Sequence, residues 1–273
     1  MIPKKIWQTH KYQTQNDLPA YMQGPSLSWS VENPDFLYEY VPNSAFADFI
    51  FDNFGKEWLN IFKLSDSEIT KADIWRLLCL YKYGGIYADI DTVCIKPVSS
   101  FINMDADFVI ESSNIFCNEE TSNTHDFKKH NSETLEKSNS VIDGKNFIRE
   151  ITNSVFATKP GGYFITLLLE NVKNKCLKEI KSGRNLIGFA LTGPQSFADI
   201  YRKNPEAVNF VEFFDQEQII ELNGSQVWND FRRDNMSFSF SDLGLGYGSL
   251  CQDTKNEIKF FGKNGHGGFV YKN

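Results

Sequence analysis

Between positions 70 and 97 the chain reads TKADIWRLLCLYKYGGIYADIDTVCIKP, and the spacing of its apolar residues changes half-way. Ile74, Leu77, Leu78 and Tyr81 recur at helical spacing, which predicts a helix with one apolar face. Thr70 or Asp66 is placed to cap its start, and Gly84-Gly85 to stop it in a left-handed turn. From Ile86 to Val93 β-formers alternate, which predicts a strand with Asp89 and Asp91 on one face and Ala88 and Ile90 on the other. Elsewhere the pattern predicts strands at Ile6-Trp7, 36–41, 107–111, 153–157 and 208–213, and helices over 44–54, 163–176 and 195–202. Residues 11–26 read as a loop carrying Pro19 and Pro25. Residues 112–146 are a polar insertion, either a loop or a small helical excursion, and 221–253 carry little pattern. Strands alternating with helices predict an α/β fold, a central mixed, mostly parallel sheet flanked by helices. At 273 residues the chain suits a single domain, 1–273.

Composition narrows the function. A formal net charge of -7 disfavours a nucleic-acid binder, because neutralising phosphates takes clustered Lys and Arg. Aromatics at 15% suit a protein that offers stacking surfaces to bases or sugars. The five cysteines (Cys79, Cys94, Cys117, Cys176 and Cys251) are scattered and odd in number, which argues against a disulfide framework or a zinc site. No apolar run approaches a membrane span and no signal core follows Lys4 and Lys5, so the expectation is a soluble, cytoplasmic protein. His125 and His130 lie in the polar insertion and read as solvated surface residues.

The chemistry concentrates at Asp89 and Asp91. Two neighbouring carboxylates repel, so each resists ionising unless a cation compensates, and a divalent metal is the economical one. An exposed strand end with ordinary acidic residues is the plainer alternative. Asp73 and Arg76, three apart on the predicted helix, are neighbours and read either as a surface ion pair or as part of an anion- and hydroxyl-binding site.

D-x-x-R at Asp73 and Arg76, followed by L-Y-x-x-G-G-x-Y-x-D-x-D from Leu80 to Asp91, resembles the DXD sugar-binding region of family 32 glycosyltransferases. The same spacing is similar to the catalytic domain of the clostridial glucosylating toxins. The opening I-P-K-K-I-W-Q-T resembles the first strand of these enzymes. The resemblance implies a GT-A-like fold and transfer of a hexose from a UDP- or GDP-sugar to a glycan, lipid-linked or protein acceptor. It also implies Mn²⁺ or Mg²⁺ as cofactor and retention of anomeric configuration. By the same resemblance Trp7 stacks on the base, with an ordinary core aromatic as the other reading, and Gln8 and Thr9 contact base or ribose. Asp73 and Arg76 serve sugar hydroxyls and diphosphate, and Asp89 and Asp91 the metal. Asn153 faces the sugar or is a plain turn residue, and Thr192-Gly193-Pro194 matches the family's T-G-P step at a helix start. The glycine-rich segment 260–273 is read as a loop that closes on the diphosphate, with His266 as a further metal ligand or an exposed tail residue. Two rival classes are a non-catalytic nucleotide-sugar-binding protein and a haloacid-dehalogenase-like phosphatase with Asp89 as nucleophile.

Overall fold

The computed structural model describes residues 1–65, 67–117, 134–142, 145–184, 186, 191–215, 218–221, 257–261 and 268–272. The fold is α/β, a mixed sheet flanked by helices. Contacts sort the chain into two compact units, one of residues 1–3, 45–87 and 103–215, the other of 4–44, 88–102 and 216–273.

The second unit opens with β1 (Lys5–His10), which pairs in parallel with β2 (Leu37–Pro42), Trp7 opposite Glu39. Ile6, Trp7, Gln8 and Thr9 are all buried, so both faces of β1 are covered, as in a central strand. Between the two strands lies α1 (Ala20–Glu32), where the sequence pattern predicts a loop up to residue 26. The difference has a physical cause. The buried side of α1 is built from Tyr21, Gly24, Pro25, Ser26, Ser28 and Trp29, so small residues replace the large apolar ones that would mark a helical period. Asn33 ends the helix: its amide donates to the Trp29 carbonyl at 2.8 Å and its Oδ1 accepts from the Val98 N–H at 2.8 Å. Two short antiparallel pairs complete this unit among the described residues. They are β4 (Thr92–Cys94) with β9 (Ile219–Glu221), and β10 (Glu257–Phe261) with β11 (Gly268–Lys272). The expected closing loop therefore holds β11 and the last two residues of its partner β10, and His266 between them lies outside the described residues.

The first unit carries α2 (Phe46–Lys63), which bends at Gly55 (φ 76°), and α3 (Glu68–Tyr83). Ser67 caps α3 by accepting the Thr70 N–H at 3.1 Å, so neither predicted cap holds: Thr70 is inside the helix and Asp66 lies outside the described residues. Gly84 stops the helix at φ 65°, as the sequence predicts, and β3 (Gly85–Ala88) follows. The strands of this unit run in the order β3-β7-β5-β8, with β6 on β7. Here β5 is Phe108–Cys117, β6 Thr134–Ile142, β7 Lys145–Thr158 and β8 Val211–Asp215. β5 is parallel to β8 and antiparallel to β7. The described parts of the polar insertion are thus strand, neither loop nor helix: Ser112 to Cys117 pair with Asn146 to Ile151. Helices α4 (Tyr163–Lys181) and α5 (Pro194–Lys203) complete the unit, and Asp107 caps α4 by accepting the Tyr163 and Phe164 N–H groups at 3.0 Å each.

Candidate active site

The Asp-x-Asp stretch is not the strand the alternation predicts. β3 ends at Ala88, Asp89 to Asp91 form a turn, and the chain re-enters a strand at Thr92 in a different sheet. The turn is closed by the Thr92 N–H, which donates to the Asp89 carbonyl at 3.1 Å. The Thr92 hydroxyl donates to the same oxygen at 2.6 Å. The turn leaves Asp89 and Asp91 half-buried while Ile90 and Thr92 are buried.

Gln8, expected to contact base or ribose, is fully buried and turned to a different task. Its Nε2 donates to the Asp89 carbonyl at 3.1 Å, and its Oε1 accepts from Tyr38 OH at 2.7 Å and Ser26 Oγ at 3.0 Å. Trp7 is 6% exposed, with the Lys5 ammonium 3.9 Å from its ring centroid as a cation capping the ring. Thr9 is also buried. His10 ends the strand half-buried and stacked on Tyr12 at 5.1 Å; burial first, and the Lys11 charge second, lower its pKa from 6.5 to about 4.

In the first unit, α3 places Asp73 and Arg76 one turn apart on a helix whose residues 73–80 are all buried. They form an ion pair at 6% and 4% exposure, well removed from the surface pair that spacing alone would allow. Thr192 Oγ1 donates to Asp73 Oδ2 at 2.8 Å. The guanidinium lies 5.0 Å from the Tyr87 ring and 5.6 Å from the Phe156 ring. Burial pushes the Asp73 carboxyl up from the usual range, and Arg76 and Thr192 oppose that rise. Asn153 lies inside β7 rather than in a turn. There the β5–β7 register breaks between the Ile110–Phe156 and Ser112–Ile151 pairs, so 152–155 bulge opposite Glu111. Asn153 Nδ2 and Thr152 Oγ1 are buried there without a hydrogen-bond partner, while Ser154 Oγ donates to the fully buried Glu111 carboxylate. Thr192, which the sequence offers only as a helix-start step, and Glu111, which it offers only as a strand end, are the polar residues that reading missed. His125, His130 and His266 lie outside the described residues.

Among the described residues no group of three or more His, Cys, Asp or Glu side chains is arranged to hold a metal ion. Two carboxylates nonetheless fit a hard divalent cation whose other positions are filled by diphosphate oxygens and water, the arrangement Mg²⁺ ordinarily takes. Among the described residues, too, no helix is long and apolar enough to cross a membrane.

The segment that contains α1, α3 and the turn has a counterpart in other proteins. Residues 19–113 match the glycosyltransferase sugar-binding region containing the DXD motif. Over 117 residues the chain is 31% identical to the initiation-specific alpha-1,6-mannosyltransferase of Candida albicans, and over 104 residues 33% identical to that of Saccharomyces cerevisiae. These alignments cover 41% and 37% of this chain but only 30% and 22% of the two relatives. Among solved structures the chain is similar to the PaToxG glycosyltransferase, with 15% identity and a TM-score of 0.46 over 76% of this chain and 73% of that one. It is also similar to mouse xyloside xylosyltransferase 1, with 13% identity and a TM-score of 0.38 over 78% and 85%.

Proposed function

We propose that this protein is a GT-A-like, metal-dependent glycosyltransferase that moves a hexose from a nucleotide-diphosphate sugar to a carbohydrate or protein acceptor, with retention at the anomeric carbon. The observation that carries the reading is the Asp89–Asp91 turn, two half-buried carboxylates on a backbone held by Gln8 and Thr92, inside the segment that matches the DXD region. Asp89 and Asp91 would hold Mn²⁺ or Mg²⁺, which supplies Lewis-acid stabilisation of the leaving diphosphate.

The remaining roles follow from chemistry this chain carries itself. A glycosidic phosphate bond is hard to break chiefly because charge gathers on the leaving group, so fixed cations are worth most in a dry site. Arg76, buried against Tyr87 and Phe156, is such a cation, and its geometry is locked before any ligand arrives. Asp73 accepts from Arg76 and Thr192, and a carboxylate has about four acceptor positions, so it keeps capacity for sugar hydroxyls. Asn153 Nδ2, a buried donor without a partner, is assigned to the sugar as well. Trp7 is assigned to the base side on the condition that a stacking ring displaces the Lys5 ammonium. Mannose is the sugar to try first, because the named relatives are mannosyltransferases.

The test needs no acceptor. Purified protein is incubated with a panel of GDP- and UDP-hexoses, with Mn²⁺ or with EDTA, and release of nucleoside diphosphate is followed. One donor is expected to be hydrolysed only with metal, and Asp91→Asn to lower that rate by about 100-fold or more, since a metal's charge stabilisation is worth several kcal/mol. Turnover that survives EDTA and the Asp91→Asn change would remove the metal from the reading.

A further inference from the structure

The Asp89 carbonyl oxygen accepts three hydrogen bonds: from Gln8 Nε2 at 3.1 Å, from the Thr92 N–H at 3.1 Å and from Thr92 Oγ1 at 2.6 Å. One oxygen with three donors is saturated, and a peptide unit held in this way cannot rotate without losing all three at once. The chain of contacts continues on both sides. Thr92 is itself held, for the Trp29 indole N–H donates to its carbonyl at 3.1 Å and its Oγ1 at 3.2 Å. Gln8 is held by Tyr38 and Ser26, and Gln15 Nε2 donates to Ser26 Oγ at 2.8 Å. Gln8, Ser26, Trp29 and Thr92 are all fully buried, so water does not compete for these bonds. These bonds grip the backbone that carries the two carboxylates.

We propose that Gln8 and Thr92 are positioning residues for the cation: they fix the Asp89 peptide so that the two carboxylates stand ready before metal and nucleotide arrive. The inference rests on the reading that Asp89 and Asp91 hold a divalent cation. It assigns Gln8 a task different from ligand contact, since its carboxamide is engaged on both its nitrogen and its oxygen. A free pair of aspartates on a mobile turn must be ordered by the metal, and that ordering is subtracted from affinity; a fixed turn avoids the loss.

The test separates positioning from plain stability. Mn²⁺ is titrated by electron paramagnetic resonance in the presence of an equal mixture of UDP and GDP, and the melting temperature of each metal-free protein is recorded alongside. Thr92→Val removes the hydroxyl donor at nearly constant volume, Thr92→Ser restores it, and Gln8→Met removes the amide. Thr92→Val and Gln8→Met are expected to weaken Mn²⁺ binding by about tenfold or more, with Thr92→Ser within about twofold of wild type, as for other groups that orient metal ligands. If Thr92→Val fails to fold, Gln8→Met and the Ser variant still give the comparison. Variants that melt lower but bind Mn²⁺ as tightly as wild type would overturn the proposal. A different result, no Mn²⁺ binding by wild type or none lost in Asp91→Asn, would instead remove the metal assignment on which it stands.

Discussion

Asp73 and Arg76 share a burial that neither tolerates alone. Taking either charge out of water costs several kcal/mol, and the ion pair, the Thr192 hydroxyl and two aromatic faces offset that cost here. Removing one partner exposes the cost of the other. Arg76→Met is expected to destabilise the fold by about 3–5 kcal/mol, read from urea midpoints, because Asp73 remains buried without its cation. Thr192→Val, which removes one hydrogen bond to a charged group, should cost about 1.5–3 kcal/mol. A smaller loss for Arg76→Met than for Thr192→Val would mean that the carboxyl is held neutral. The three-residue spacing of D-x-x-R made these two residues legible as a pair, but burial is decided by what packs over the helix, and Thr192 is 119 positions from Asp73.

At the scale of elements, two glycines with positive φ make contrasting predictions. A Cβ on Gly84 would sit 2.6 Å from Pro160 Cδ and 2.8 Å from Pro3 Cδ, whereas one on Gly55 would meet nothing within 4 Å. Gly84→Ala therefore adds a collision to an unfavourable backbone angle, and an unfolding free energy lower by about 2–4 kcal/mol is expected. Gly55→Ala, with only the backbone angles (φ 76°, ψ −169°) to strain, should cost about 1–3 kcal/mol and less than the change at Gly84. Equal losses at the two sites would show that the prolines give way. The Gly84 stop was plain in the sequence because two glycines end an apolar period there. The continuation of α2 past Gly55 was hidden for the same reason: a glycine signals a stop whether the chain stops or bends. α1 was hidden because its buried face is small, and the turn at Asp89 because Ile86 to Val93 alternate whether or not the backbone remains extended. Long apolar elements were legible; those defined by side-chain hydrogen bonds to distant backbone were not.

For the molecule as a whole, His10 gives acid an early point of action among the described residues. His10 has its pKa lowered to about 4, so on acidification the unfolded chain takes up a proton at its ordinary 6.5 that the folded protein refuses. The contribution of His10 to stability is then complete above pH 6.5 and falls as pH drops towards 4. The carboxyl of Asp199, lowered by Lys175 and Lys203 against its own desolvation, loses its contribution only below its ordinary 3.8, a separate window. Self-repulsion cannot explain a loss in the upper window, because the sequence pI of 5.2 lies inside it and net charge is smallest there. His10→Phe, which keeps the stack on Tyr12, should flatten the stability profile between 6.5 and 4, and an unchanged slope would assign the effect elsewhere.

The Asp107 cap has a consequence of another kind. Its carboxylate holds the start of α4, Lys159 Nζ pairs with it at 3.0 Å, and the Thr158 hydroxyl and Lys159 N–H donate to its carbonyl at 2.8 and 3.3 Å. The chain leaves this knot at Phe108 and returns to it at Thr158, which face each other across β5 and β7. Everything between departs from and comes back to one fixed doorway. A change of length beyond the Ser112–Ile151 pair leaves that doorway, the start of α4 and Phe156 beside Arg76 on its near side, so the far part of the excursion can vary in length without reaching them.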